Sequence, residues 1–116
     1  MMPLLKLETT VVLSEAKRQA LLAALSKMVG ETIGKPQQYV MVAASQAAMQ
    51  MSGNPGDAAF VDVRSIGGLT GEVNRKLSQK VCQLLGDSLG IPQNRIYLNF
   101  TEVEASQWGW NGNTFG

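Results

Sequence analysis

The sequence predicts an α/β (α+β) fold in which two βαβ repeats form a four-stranded mixed sheet backed by two helices. One observation is a repeat at an offset of 56 residues, because residues 34–38 (GKPQQ) recur as residues 90–94 (GIPQN). A second is that each copy places an amphipathic segment between two short runs of branched residues. A helical crossover of this kind joins parallel neighbouring strands in right-handed fashion.

The helix of each repeat is predicted from its ends and from its apolar stripe. Ser14 and Thr70 are typical N-cap residues. Gly34 and Gly90 are expected to close the helices in a left-handed conformation, and a proline two positions later prevents continuation. Between cap and glycine, apolar residues recur in steps of three and four. These stripes comprise Leu21, Leu25, Met28, Val29 and Ile33 in the first helix, and Leu77, Val81, Leu84, Leu85 and Leu89 in the second.

The strands are predicted at residues 4–7, 39–42, 60–63 and 95–98, and their alternation separates two faces. The face toward the helices is aliphatic: Leu5, Leu7, Val40, Val42, Val61, Val63, Ile96 and Leu98. The opposite face is mixed: Lys6, Glu8, Tyr39, Met41, Asp62, Arg64, Tyr97 and Asn99. We interpret the mixed face as an oligomer interface or the wall of a solvated channel, and an ordinary exposed sheet face is the alternative.

The length of 116 residues suits a single domain, residues 1–116, with pseudo-repeats at 3–44 and 59–101. A C-terminal tail, residues 102–116, follows the second repeat. It carries Trp108, Trp110 and Phe115, with a turn signal at Asn111-Gly112. We expect this tail to pack on a neighbouring subunit, and pairing within its own subunit is the alternative.

Composition excludes several classes of function. The formal net charge of +1 gives no electrostatic reason to expect nucleic acid or an anionic membrane as partner. The chain has no histidine and one cysteine, Cys82, which removes Ser-His-Asp and Cys-His systems and most zinc sites. No secretory leader opens the sequence, so a cytoplasmic location is expected. We expect no cofactor and no metal, and Cys82 is interpreted as a partly buried structural thiol.

Two short segments remain as places for chemistry. Residues 65–68 (SIGG) lack the lysine and spacing of a phosphate loop, so they predict a tight turn from strand to helix. Pro3 directly precedes a core strand. If a chain began there, its secondary amine would titrate near or below about 7.7–8.0, and an apolar pocket with Lys35 nearby would lower the pKa further. Such an amine suits a general base, although proline before a strand is usually only a strand starter.

Several separated motifs carry a resemblance to a known family. They are Met2-Pro3-Leu4, Gly34-Lys35-Pro36 with Tyr39-Val40-Met41, residues 65–68, Asn74-Arg75, the Pro-x-x-Arg-Ile-Tyr stretch at 92–97, and residues 110–115. On these motifs the chain resembles the macrophage migration inhibitory factor family, which includes D-dopachrome tautomerase, within the tautomerase superfamily. The resemblance covers essentially the whole chain.

The resemblance implies a homotrimer with a central solvent channel, active sites between subunits, and keto–enol tautomerisation of a small aromatic α-keto acid of the phenylpyruvate or dopachrome type. Pro3 would be the catalytic base. Lys35 would hold the substrate carboxylate, and Ile66, on the turn with Ser65, would donate a backbone hydrogen bond. The remaining implied site residues are Tyr97 and Asn99 from the adjacent subunit, with Trp108, Trp110 and Phe115 as apolar wall and tail packing.

One departure from the family bears directly on this chemistry. The chain begins Met1-Met2-Pro3, and Pro3 has a basic nitrogen only if both methionines are absent. The alternative function is a cytokine-like interaction protein whose trimer surface binds a cell-surface receptor. Such a role adds export by a non-classical route, as the resemblance implies.

Overall fold

The structure, a computed structural model, describes residues 2–116, so the prediction that concerns Met1 lies outside the described residues. Its strands are β1 (Leu4–Thr9), β2 (Met41–Gln46), β3 (Ala59–Ser65), β4 (Ile96–Glu102), β5 (Gly109–Trp110) and β6 (Asn113–Thr114). The helices are α1 (Glu15–Ile33) and α2 (Gly71–Leu89). Short 3-10 turns occupy Gln37–Tyr39, Gln93–Arg95 and Ala105–Gln107.

The two helices begin and end where their caps predict. The Ser14 hydroxyl accepts a hydrogen bond from the Lys17 N–H, and the Thr70 hydroxyl accepts one from the Val73 N–H, each at 3.2 Å. Gly34 and Gly90 adopt left-handed conformations, with φ of 79° and 70°. The predicted helix bounds are therefore confirmed.

The four long strands form one sheet in the order β2-β1-β3-β4. The outer pairs, β1 with β2 and β3 with β4, are parallel, whereas the central pair is antiparallel, with Leu5 opposite Val63 and Leu7 opposite Val61. Each βαβ unit thus supplies one parallel pair, and the two units join back to back along β1 and β3. The four-stranded mixed sheet backed by two helices is confirmed.

The helices cover the aliphatic face of the sheet, and the core lies between these two layers. Four large aliphatic residues of the central strands on this face have no exposed surface: Leu5, Leu7, Val61 and Val63. The helices supply Leu21, Leu25, Val29, Leu77, Val81 and Leu85 to the same cluster. Val42 and Leu98, on the outer strands, are partly buried at its margin.

The starts of two strands differ from the prediction. Tyr39 and Arg95 lie in 3-10 turns, not in strands, because each N–H closes a turn onto the carbonyl of the proline three residues earlier, at 3.0 and 2.9 Å. The placement of Tyr39 on the mixed sheet face is therefore wrong. Strand β2 begins only at Met41.

Arg95 instead fixes the loop that joins the two halves of the chain. Its guanidinium group donates to four main-chain carbonyls, at 2.8 to 3.2 Å. The acceptors are Met51, Asn54, Gly56 and Asp57. A planar guanidinium with five N–H donors is suited to collecting several carbonyls at once. This loop lies beside the start of β3.

Candidate functional site

Pro3 is fixed at the end of the sheet, directly before β1. Its side chain is buried, and its carbonyl accepts a hydrogen bond from the Met41 N–H at 3.0 Å. The next residue, Leu4, lies opposite Met41 on one side and Arg64 on the other. Pro3 therefore lies just before the start of β1, between β2 and β3, and a proline is tolerated there because a residue that precedes the strand needs no ladder N–H.

Lys35 reaches the same end of the sheet from the end of α1. Its main-chain N–H bonds to the Gly30 carbonyl at 3.0 Å, beyond the left-handed Gly34. From this half-buried position its Nζ donates to the carbonyl of Ile66 at 3.3 Å. The ammonium group is thus held against the turn that follows β3.

That turn is tightly constrained on both sides. The buried Ser65 hydroxyl donates to the Gly67 carbonyl at 2.8 Å, and Gly67 and Gly68 have φ of 78° and 84°. A Cβ at Gly68 would come within 2.9 Å of the Ile33 side chain, so glycine is needed for close approach as well as for the dihedral angle. The predicted tight turn from strand to helix is confirmed.

Glu102 stabilises this turn from the end of β4. Its carboxylate accepts a hydrogen bond from the Leu69 N–H at 3.0 Å, and the next residue, Val103, donates its N–H to the Ser65 carbonyl at 2.9 Å. The sequence motifs assign no role to Glu102. Nothing in its spacing indicates that it reaches a loop 33 residues earlier in the chain.

Tyr97 and Asn99 lie on β4, away from Pro3 and Lys35. Tyr97 is opposite Phe60, near the start of β3, whereas Ser65 is at its end. Five residues at about 3.3 Å each place some 16 Å between these levels of the sheet. Tyr97 is 66% exposed and lines a cleft of about 300 Å³ with Glu8, Met51 and Phe60.

The tail folds into a small hairpin of its own. Asn111 and Gly112, with φ of 53° and 77°, form its two-residue turn, as the Asn-Gly pair predicts. The rings of Trp110 and Phe115 stack with centroids 5.9 Å apart. Trp108 is half-buried, and its carbonyl accepts a hydrogen bond from the Phe115 N–H at 3.1 Å.

One copy of the chain therefore assembles only part of the predicted site. It brings Pro3, Lys35, Ser65 and Ile66 to one end of the sheet, with the tail tethered to Ser65 through Val103. It leaves Tyr97 and Asn99 elsewhere, on the open face. Within residues 2–116, no group of three or more carboxylate, thiol or imidazole side chains could hold a metal ion. Nor is any helix of that part of the chain long and apolar enough to span a bilayer.

The described residues place the one thiol away from this region. Cys82 is partly buried within α2, on the margin of the core, and burial raises the pKa of its thiol. A raised thiol pKa lowers the fraction of reactive thiolate at neutral pH. This agrees with the structural role expected for Cys82.

Comparison with known families decides the relationship that the fold suggests. The family model described as macrophage migration inhibitory factor (MIF) matches residues 2–116. The chain belongs to the MIF family. A MIF homolog of Trichuris trichiura is 38% identical over 98% of this chain and all of the relative, and the Meriones unguiculatus MIF is 36% identical over 98% and 99%.

Solved structures of MIF relatives share the whole fold. A MIF homologue from Prochlorococcus marinus has a TM-score of 0.91 and 40% identity, covering 97% of this chain and 99% of its own. A MIF-like protein from Entamoeba histolytica has a TM-score of 0.95 and 32% identity, covering 99% and 100%. The resemblance carried by the sequence motifs is thereby confirmed, as is the MIF-type fold.

Proposed function

We propose that this MIF-family chain is a cofactor-independent keto–enol tautomerase that acts on small aromatic α-keto acids of the phenylpyruvate or dopachrome type. The observation that carries the proposal is the Lys35 ammonium, held 3.3 Å from the Ile66 carbonyl at the end of the sheet where the buried Pro3 directly precedes β1. In a chain that starts at Pro3, this end of the sheet would offer a cation to bind a carboxylate and an amine to act as a base.

Pro3 is the proposed catalytic base, in a form of the chain that starts at this residue. An α-amino group titrates near about 7.7–8.0, and an apolar surrounding together with a nearby cation disfavours its protonated form. The neutral amine takes a proton from the carbon next to the keto group, and the C–H electron pair forms the C=C bond. The carbonyl oxygen becomes an enolate and is then protonated, so the net change moves one proton from carbon to oxygen.

Lys35 is proposed to bind the substrate carboxylate, with the Ser65–Ile66 turn as the opposite side of the pocket. An ammonium-to-carboxylate hydrogen bond is charge-assisted and therefore stronger than a neutral one. The Glu102 contact to Leu69 and the Val103 contact to Ser65 hold the turn against which the Lys35 ammonium is placed.

We further propose that a homotrimer completes the site. Tyr97 lies about 16 Å, and Asn99 about 10 Å, along the sheet from the level of Ser65, so a second copy would supply both if they face the substrate ring. Trp108, Trp110 and Phe115 are then available as an apolar wall. The open sheet face, on which Met41 is 65% and Tyr97 66% exposed, is proposed to line a channel between the copies.

The decisive test is phenylpyruvate tautomerisation by a chain confirmed by intact mass to start at Pro3, measured beside the chain that starts at Met1. We expect activity only in the first, because an amide nitrogen has no basic lone pair. In the first chain, Pro3→Gly is expected to reduce turnover by roughly 10²- to 10⁴-fold, the usual contribution of a general base. Lys80→Met, on the surface of α2, is the matched control for Lys35→Met, which is expected to raise KM.

The names of the relatives favour a second function, a cytokine-like interaction protein whose trimer surface binds a cell-surface receptor. This proposal includes cytoplasmic residence with export by a non-classical route. It predicts receptor binding that persists when the Pro3 nitrogen is blocked by acetylation. Loss of binding on acetylation would instead tie any such role to the pocket.

A further inference from the structure

A network of side chains on the open sheet face surrounds Asp62, whose side chain is only 14% exposed. One carboxylate oxygen accepts two hydrogen bonds from Arg64, from Nε at 3.1 Å and from Nη2 at 2.9 Å. The other oxygen accepts a hydrogen bond from Asn99 Nδ2 at 3.3 Å. Asn99 Nδ2 also donates to the Thr101 hydroxyl at 2.8 Å.

This network determines which way the Asn99 amide points. An ionised carboxylate can only accept hydrogen bonds, so the NH₂ group of Asn99 must face Asp62 and its carbonyl must face away. Arg64 directs both of its hydrogen bonds to Oδ2 of Asp62, which leaves Oδ1 to accept the hydrogen bond from Asn99. Within residues 2–116 no group donates a hydrogen bond to Asn99 Oδ1. That oxygen is the polar atom which Asn99 leaves for a ligand.

We propose that Asp62 is a positioning and specificity-determining residue, which fixes the polarity of Asn99 so that this position presents only a hydrogen-bond acceptor. The inference rests on the proposed function for the identity of the ligand. An aromatic acid that reaches Asn99 must then carry a donor, such as a hydroxyl, at the end of its ring. Binding of a ring that carries only an acceptor, such as a methoxy group, is disfavoured because that group cannot donate a hydrogen bond to Oδ1.

A purely structural role for Asp62 makes a different prediction. If the carboxylate only ties β3 to β4, its removal weakens the protein or slows all substrates alike. If it sets the polarity of Asn99, its removal frees the amide to rotate and changes the preference between a donor and an acceptor at one point of the ring. The effect then falls on KM and on the ratio of two substrates, while kcat changes little.

The experiment measures kcat and KM for phenylpyruvate, p-hydroxyphenylpyruvate and p-methoxyphenylpyruvate, with the chain that starts at Pro3. We expect a hydroxy-to-methoxy ratio of kcat/KM of about tenfold or more, because a site made for a hydroxyl rejects an analogue that cannot donate. In Asp62→Asn the ratio is expected to fall to within about threefold, chiefly through KM. Asp87→Asn, which removes a carboxylate bound to Gln83 on the surface of α2, is the control and keeps the ratio.

Coupling between the two residues supplies the strictest criterion. In an Asn99→Ala background, Asp62→Asn should no longer change the ratio, because the group whose polarity it controls is gone. An unchanged ratio in Asp62→Asn, or an equal change with and without Asn99, would overturn the proposal. Asp62→Ser, which also removes the fixed acceptor, replaces Asp62→Asn if the latter does not fold.

A binding measurement separates this inference from the proposed enzymatic function. Calorimetric titration with p-hydroxycinnamate and p-methoxycinnamate gives the same ratio without turnover. If phenylpyruvate is not turned over but the binding ratio still depends on Asp62, the tautomerase proposal fails and the role of Asp62 stands. If phenylpyruvate is turned over and neither the kcat/KM ratio nor the binding ratio depends on Asp62, the tautomerase proposal stands and the role of Asp62 fails.

Discussion

Replacing Gly68 by alanine tests how closely the turn after β3 packs against the end of α1. Gly68 has φ of +84°, and a Cβ built there would lie 2.9 Å from Ile33 Cγ2 and 3.6 Å from Lys35 Cε. Ile33 is only 8% exposed and belongs to the core cluster, so its side chain has little room to move. Gly67, the residue before Gly68, has a similar φ of +78°, but a Cβ built at Gly67 would have no atom within 4 Å.

The two glycines therefore separate backbone strain from steric overlap. A left-handed conformation costs a residue with a side chain about 1–2 kcal/mol, and this term applies at both positions. Overpacking against the core adds about 1–3 kcal/mol, at Gly68 alone. We expect Gly68→Ala to lower the free energy of unfolding by about 2–5 kcal/mol, and Gly67→Ala by about 1–2 kcal/mol.

Urea unfolding measures this difference at one fixed protein concentration, which matters for any chain that self-associates. With a denaturant slope of about 2 kcal/mol per molar urea, the two midpoints should differ by roughly 1 M. Gly68→Ala should also raise KM for an aromatic α-keto acid, because the added methyl group contacts the Lys35 side chain. Equal destabilisation by the two variants would refute the packing argument, since only the shared strain would then remain.

Three further predictions concern residues outside the proposed pocket. Arg95→Lys keeps the charge but loses the planar guanidinium, so we expect the free energy of unfolding to fall by about 1–3 kcal/mol and hydrogen exchange at residues 51–57 to become faster. Unchanged exchange would contradict the conclusion that Arg95 fixes this loop. Glu102→Ala leaves the buried Leu69 N–H without its acceptor and should cost about 1–3 kcal/mol in thermal or urea unfolding, whereas Glu104→Ala should cost far less. Because burial raises the pKa of the Cys82 thiol, its reaction with a disulfide reagent at pH 8 should be slower in the folded chain than in the chain unfolded in urea. Equal reaction rates in the two states would contradict the burial of this thiol. The same shift means that the stabilisation from the protonated thiol is present below the pKa of the unfolded chain, near 8.5, and is lost as the pH rises through the folded value.

Features of the fold set by neighbouring residues were predictable from the sequence. The caps at Ser14 and Thr70 and the left-handed glycines at 34 and 90 depend on a few adjacent residues, and each was placed correctly. The starts of β2 and β4 were not, since the residues before Met41 and Ile96 have the composition of a strand but follow a proline. The carbonyl of that proline captures the N–H three residues later, and the backbone turns before it extends.

Contacts between distant residues were the part that the sequence could not supply. The Glu102 contact to Leu69 and the Asp62 contact to Asn99 join residues 33 and 37 positions apart. Both depend on β3 and β4 being neighbours in one particular register. A hydrophobic period identifies a strand and its buried face, but it does not specify which strand lies alongside. The hydrogen-bond partners of individual polar side chains can therefore be identified only once the order and register of the strands are known.

The repeated architecture uses one position in two different ways. Ile91 follows the left-handed Gly90 and is 1% exposed, as part of the core cluster. Lys35 follows Gly34 in the same local frame, yet remains half-buried and holds Ile66. The same type of helix end therefore precedes a buried apolar side chain in one repeat and a half-buried cation in the other. A change of side chain at this one position thus exchanges a core contact for a surface cation, while the caps that define the preceding helix stay the same in both repeats.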